Sequence, residues 1–263
     1  MNIKIKRDAL LKPLANVASI VERKHALPIL SNILIQGKDG QVQLTATDLE
    51  MQVSLSFKAD LTEEIATTIS ARKFFDITRS LPDDCVIDIA IKDSRVAVKA
   101  NKSRFAIQTL PAKDYPVMTK ASSEAVVITI SQIQLKRLLK QVEFAMAQQD
   151  IRYYLNGLLF EVNGNQLNIV GTDGHRLSFT SVHLDQNYNK TEVILPRKTV
   201  IELIKLLNET EELVSVELYK GQASFNFNDI QLISKVIDGK FPDYTRVIPE
   251  GHNNQFTIDR SQF

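Results

Sequence analysis

The chain opens on a short alternating run, "NIKI" (2–5), and then changes period. In "RDALLKPLANVASI" (7–20) the apolar residues Leu10, Leu14 and Val17 recur at helical spacing. Pro13 is expected inside the first helical turn, where a missing N–H costs little. Alternating runs follow, "LSNILIQG", "VQLTATD" and "QVSLSF", with Gly40 as a turn residue. The pattern then restarts. "ATTIS" reads as a strand, "ARKFFDITRSL" as a helix ended by Pro82, and "CVIDIAI", "RVAVKA" and "SRFAIQTL" as strands between polar turns. One strand, one helix and three strands (β-α-β-β-β) thus occur twice. Antiparallel sheets bury one face, and two helices per domain supply the cover.

The second half of the chain repeats the first. At an offset of 125 positions, "LPILSNILI" (27–35) falls on "RYYLNGLLF" (152–160), Thr47-Asp48 on Thr172-Asp173, and Arg72-Lys73 on Arg197-Lys198. With one inserted residue, "LPAKDYP" (110–116) falls on "VIDGKFP" (236–242). Several matches at one offset define two homologous α+β domains, 1–122 and 123–252, joined through the small polar stretch "MTKASSEA" (118–125). "FTIDRSQF" (256–263) resembles "ITISQIQL" (128–135) and "IKIKRDAL" (3–10), so residues 253–263 are expected to begin a third copy, of which this chain holds only the first few residues.

Composition narrows the class. Hydrophobic residues make up 44% and charged ones 24%, which places the chain among globular proteins and not disordered ones. No run approaches the roughly 18 apolar residues of a membrane span, and no signal peptide is legible, so a cytoplasmic location and no membrane partner are expected. One cysteine, Cys85, excludes a disulfide framework within the chain. Net charge is only +1, yet the four helical segments 7–20, 71–81, 131–147 and 196–207 together carry +7, leaving −6 elsewhere. Lysine and arginine often do no more than solvate exposed helices. Four helices of one sign over an acidic remainder instead fit a surface for phosphate backbones. Without an aromatic ladder for single strands, duplex DNA is the expected nucleic acid.

Catalytic chemistry is sparse. No two of His25, His175, His183 and His252 have metal-ligand spacing, and neither a metal nor any other cofactor is expected. Cys85 stands behind Asp83 and Asp84, the reverse of the electropositive setting that activates a thiol. The densest cluster is "GTDGHRL" (171–177), where Asp173 and His175 could in principle be a base and its orienter. Its counterpart in the first domain is "ATDLEMQ" (46–52). The shared Thr-Asp then reads as a turn in which the aspartate accepts backbone N–H groups. Gly174, His175, Arg176 and Leu177 are what the second domain adds.

With repeat, basic helices and loop together, the chain resembles the bacterial sliding clamp family, the beta subunits of the replicative DNA polymerase. The resemblance rests on "LLKPLANV", "LPILSNILI", "TATDLEMQ", "ARKFFDI", "SRFAIQTLPAKDYP", "FAMAQQDIRYYLNGLLFE", "GTDGHRLS", "LPRKTVIELIKLL" and "SKVIDGKFPDYTRVIP", which run over nearly all 263 residues. It implies a non-enzymatic ring of six similar domains, three per subunit in a head-to-tail dimer, with helices lining a hole that takes duplex DNA. Implied DNA contacts are Lys24, Arg72, Lys73, Gln149, Tyr153, Tyr154, Arg197 and Lys198. Lys24 replaces an arginine of some relatives, so its charge survives and its fork does not. The resemblance also implies a pocket of Leu155, Thr172, Gly174, His175, Arg176, Leu177, Pro242, Arg246 and Val247. In the family this receives a short peptide, typically a glutamine with leucine and phenylalanine, from polymerases, the clamp loader and repair proteins. Lys73, Arg104 and Phe105 are implied at the face that meets the next subunit. Two other readings stay open from the residues alone: an adaptor that binds partners without encircling DNA, and a hydrolase built on Asp173 and His175.

Overall fold

In a computed structural model, the chain is described over residues 2–21, 27–92, 94–249, 251 and 256–263. The first half runs β1 (Asn2–Lys6), α1 (Arg7–Ala18), β2 (Asn32–Lys38), β3 (Gln41–Thr47), β4 (Met51–Lys58), a two-residue β5 (Asp60–Leu61), β6 (Ile65–Ser70), α2 (Ala71–Ser80), β7 (Val86–Lys92), β8 (Arg95–Ala100) and β9 (Ser103–Gln108). Apart from β5 this is the expected β-α-β-β-β order twice over. Pro13 falls in the middle of α1 and not in its first turn. It therefore removes the hydrogen bond to the Ala9 carbonyl, and Ala9 lies on the exposed side, where water can take that carbonyl.

The second half continues with β10 (Val126–Ser131), α3 (Gln132–Val142), β11 (Gly157–Thr172), β12 (Leu177–Pro196), α4 (Arg197–Leu206), β13 (Leu213–Leu218), β14 (Gln222–Phe227) and β15 (Ile230–Lys235). Strands that are separate in the first domain run together here. β11 doubles back on itself: Asn168 Nδ2 donates to Glu161 Oε2 at 3.2 Å, and a Cβ at Gly171 would stand 2.9 Å from the Leu158 side chain. Seven residues of straight strand span roughly 23 Å, so the segment must reverse, and it does so around Gly164 at φ +58°.

Two antiparallel sheets organise the packing, with β11 and β12 pairing beside them. One has the order β5-β1-β7-β8-β9, which leaves β9 at its edge. The other runs β10-β13-β14-β15-β4-β3-β2-β6, so a single eight-stranded sheet crosses the domain boundary where β15 pairs with β4, Leu232 opposite Val53. Beneath it Leu10, Leu14 and Val17 of α1, Leu135, Leu139 and Val142 of α3, and Val200, Leu203 and Leu206 of α4 enter one continuous core. The connecting segment is stitched to both halves. Gln52 exchanges two hydrogen bonds with the backbone of Met118, and Gln222 bonds Ala121 N and Thr119 O.

Residues 256–263 pair with no described strand. Asp259 Oδ1 accepts Ser261 N at 2.8 Å and Gln262 N at 3.2 Å, starting one helical turn as Ser131 does at the head of α3. Phe256 and Phe263 are left 86% and 93% exposed.

Candidate functional site

The Thr-Asp turn is built the same way in both domains. Thr47 Oγ1 donates to Met51 O at 2.8 Å and accepts Leu49 N at 3.0 Å, while Asp48 Oδ1 accepts Glu50 N and Met51 N. In the second domain Thr172 Oγ1 donates to Arg176 O at 2.7 Å and accepts Gly174 N at 3.1 Å, and Asp173 Oδ1 accepts His175 N and Arg176 N. Those backbone bonds hold the Asp173 carboxyl below its ordinary range, the bond from His175 first. A carboxylate so committed is poorly placed to orient a base. No serine or cysteine stands beside His175 in the turn.

The two turns differ in what surrounds them. Leu49 holds a left-handed φ of +74°, and Gly174 takes its place at +86°. A side chain is disfavoured at 174 for a second reason as well, since a Cβ there would lie 2.8 Å from Arg152 Nη1 and the guanidinium would have to shift. Arg152 crosses the turn and donates Nη2 to Asp173 O at 3.2 Å. It is itself clamped by Asp150, through Nε at 3.0 Å, Nη2 at 2.8 Å and its own backbone N at 2.8 Å. The side-chain bonds, then the backbone one, pull the Asp150 carboxyl down to about 2.

Around this turn lies a cleft of about 460 Å³. It gathers eight of the nine residues expected for a peptide pocket: Leu155, Thr172, Gly174, His175, Arg176, Leu177, Pro242 and Val247. Leu155 is buried and Leu177 half-buried, giving an apolar floor. Arg246 lies outside the lining, its side chain 83% exposed and paired with Asp243 at 2.8 Å. The cause is the 3₁₀ turn Tyr244–Val247, whose three-residue repeat brings Tyr244 and Val247 to the cleft and turns Arg246 to solvent. Sequence reasoning missed Arg152, Tyr154, Asp243 and Tyr244 as lining residues. Tyr154 was expected only toward DNA. The motif "DGKFPDYTRV" contains Asp243 and Tyr244, but nothing in it says which side chain turns inward.

The expected DNA contacts fall in two repeat-related places. Arg72 and Lys73 are exposed on α2 beside Ala15 and Ser19 of the α1 region. Gln149, Arg197 and Lys198 line one shallow hollow at the start of α4. Tyr153 is 57% exposed and packs edge-on against Tyr154 at 5.8 Å. Lys24 lies outside the described residues.

Part of the helical charge is spent on structure. Arg7 is tucked under the end of α2, donating to Thr78 O and Arg79 O and pairing with Asp8 and Asp83. Lys205 pairs with the buried Glu202, Lys136 bonds Leu207 O, and Lys198 pairs with Asp48 across the domain boundary. Lys12, Lys73, Arg137 and Lys140 remain exposed with no ion pair among the described residues.

Arg104 and Phe105 sit on the edge strand β9, the first exposed and the second half-buried. Their structural counterparts on β15, Gln231 and Leu232, are paired with β4 inside this chain.

The chain is thus a repeated α+β unit with helices under a shared sheet and a cleft beside one of its two Thr-Asp turns. The sequence model for the "DNA polymerase III beta subunit, N-terminal domain" matches residues 1–119, and that for its "central domain" matches 129–243. The chain belongs to this family, the beta sliding clamps. It is 44% identical to the beta sliding clamp of Pseudomonas aeruginosa over 264 residues, covering 100% of this chain and 72% of that protein. It is 43% identical to that of Escherichia coli K12, covering 95% and 68%. Among solved structures, the sliding clamp of Pseudomonas aeruginosa bound to griselimycin superposes with a TM-score of 0.93 at 44% identity, over 96% of this chain and 69% of that one. The clamp of Caulobacter crescentus gives 0.89 at 37% identity, over 95% and 69%.

Proposed function

We propose that this chain is part of a closed ring that encircles duplex DNA, and that it tethers the replicative polymerase, the clamp loader and repair proteins through short peptides docked beside Leu177. Its role is mechanical and not enzymatic. Residues 1–122 and 123–252 are the two clamp domains, and 253–263 open a third copy.

One observation carries the ring. β15 is docked on β4 within the chain, while its structural equivalent β9 has no partner strand at its outer edge among the described residues. Lys73 on α2 holds the position that Lys198 occupies in the internal seam, where it pairs with Asp48. Repeating that seam head to tail generates a ring when the rotation closes. Lys73, Arg104 and Phe105 then belong to the subunit interface. The exposed cations of the helices, with Arg72, Gln149 and Tyr153, face the phosphates loosely enough for sliding. The apolar floor of the cleft takes the leucine and phenylalanine of a peptide, with Arg152 and Arg176 at the rim.

The test is topological. Placed on nicked circular DNA by a clamp loader, the protein should stay until the circle is cut, and then leave over the ends. Equal loss from intact circles and from linear DNA refutes encirclement.

A further inference from the structure

The wall of the cleft formed by residues 241–247 has a second cavity behind it, of about 660 Å³. The two hollows share Pro242, Asp243 and Tyr244. Between them stands a polar cluster centred on Glu161. Glu161 on β11 has a side chain only 10% exposed. Its Oε2 accepts the Tyr244 hydroxyl at 2.6 Å and Asn168 Nδ2 at 3.2 Å, and its Oε1 accepts Lys190 Nζ at 3.1 Å. Burial opposes the charge on Glu161, but the hydrogen bonds from Tyr244, Asn168 and Lys190 outweigh it and hold the carboxyl below its ordinary value. Burial first, and the bond to Glu161 second, push the Tyr244 phenol far up. The pair is therefore a phenol donating to a carboxylate at neutral pH, a short charge-assisted bond.

What makes this bond matter is that the wall has little else. Among the described residues, every hydrogen bond from 238–249 to the rest of the chain passes through the Tyr244 hydroxyl, to Glu161 and from Asn168. Thr245 and Arg246 bond only within the segment, to Asp243. The remaining anchorage is apolar: Phe241 and Tyr244 pack with Leu159, Val170 and Ile194, and the Tyr244 ring stacks on Phe179 at 5.7 Å. Apolar contact is non-directional and does not by itself set where a segment stands. A hydrogen bond to a charged acceptor does.

We propose that Glu161 is a positioning residue for the peptide cleft: held by Asn168 and Lys190, it fixes the Tyr244 hydroxyl and so sets the stance of the 241–247 wall opposite Leu177. This rests on the reading of the cleft as a peptide site. The experiment measures the anisotropy of a labelled peptide carrying glutamine, leucine and phenylalanine with the full chain and with Tyr244→Phe, Glu161→Ala, the double variant and Glu161→Gln. Tyr244→Phe and Glu161→Ala should each weaken binding about tenfold, the scale of one hydrogen bond to a charged group. The double variant should be no weaker than either alone, and Glu161→Gln, which keeps an acceptor for the phenol, should recover most of the affinity. A second readout needs no peptide: the methyl resonances of Leu177 and Val247 in the free protein should shift together in Tyr244→Phe and Glu161→Ala, with Glu161→Gln near wild type. A wild-type chain that ignores the peptide overturns the peptide reading, and the methyl shifts then decide the role of Glu161. Additive losses, or methyls that do not move, overturn the proposal.

Discussion

Gly174→Ala probes two separable effects at one atom. The backbone there has φ +86°, a region where an L side chain costs about 1–2 kcal/mol. The new methyl would also lie 2.8 Å from Arg152 Nη1 and push the guanidinium off Asp173 O and Asp150. Arg152 is half-exposed, so solvent recovers much of that loss, which leaves about 1 kcal/mol for the displacement. Together these lower stability by about 2–3 kcal/mol. At roughly 2–4 °C per kcal/mol for a chain of this size, Tm falls by roughly 4–12 °C. Urea midpoints and Tm measured for wild type, Gly174→Ala, Arg152→Ala and the double variant close a cycle. The strain part must appear in both backgrounds, and the displacement part only when Arg152 is present. An equal cost with and without Arg152 refutes the contact. A cost below about 0.3 kcal/mol in both, inside the error of such cycles, refutes the strain as well.

Three further outcomes are expected. Leu177→Ser removes an apolar side chain from the cleft floor and should weaken peptide binding about 10–100-fold, read by anisotropy, while Tm falls by roughly 2–8 °C for the loss of about 1–2 kcal/mol of partial burial. Lys198→Ala leaves the nearly buried Asp48 without its ion pair and should cost about 1–2 kcal/mol in urea unfolding, whereas Arg72→Ala should spare stability and reduce the salt slope of DNA binding by about 1. Asp150 titrates near 2 when folded against 3.8 unperturbed. A depressed carboxyl contributes stability that is complete above the unfolded value and is lost as pH falls through the folded one. The contribution should therefore fade between about pH 3.8 and 2 and vanish in Asp150→Asn, as followed by pH-dependent urea midpoints.

The sequence carried unusually much here because the chain compares itself with itself. That Thr172-Asp173 is a turn element of the fold follows from Thr47-Asp48, and the matching hydrogen bonds of the two turns agree with it. The helix faces were legible because Leu10, Leu14 and Val17, or Leu135, Leu139 and Val142, recur at the α-helical period. Charge was less legible. A count of cations cannot tell Arg7, folded under the end of α2, from Lys12, which faces solvent five residues later. The difference is made by Asp83 and the α2 carbonyls, more than 70 residues away in the chain.

Local periodicity, the repeat, the turn chemistry and the family are legible in the string of residues, because these depend on residues near one another or on copies of the same string. That β15 finds β4 and makes one sheet of two domains, and that Lys198 is spent on Asp48, comes from long-range packing. It also determines that Arg246 turns away while Tyr154 and Tyr244 turn toward the cleft. Those outcomes depend on which surfaces meet after folding. A short motif contains no information about the partner that closes over it, and that partner selects which of its side chains are buried.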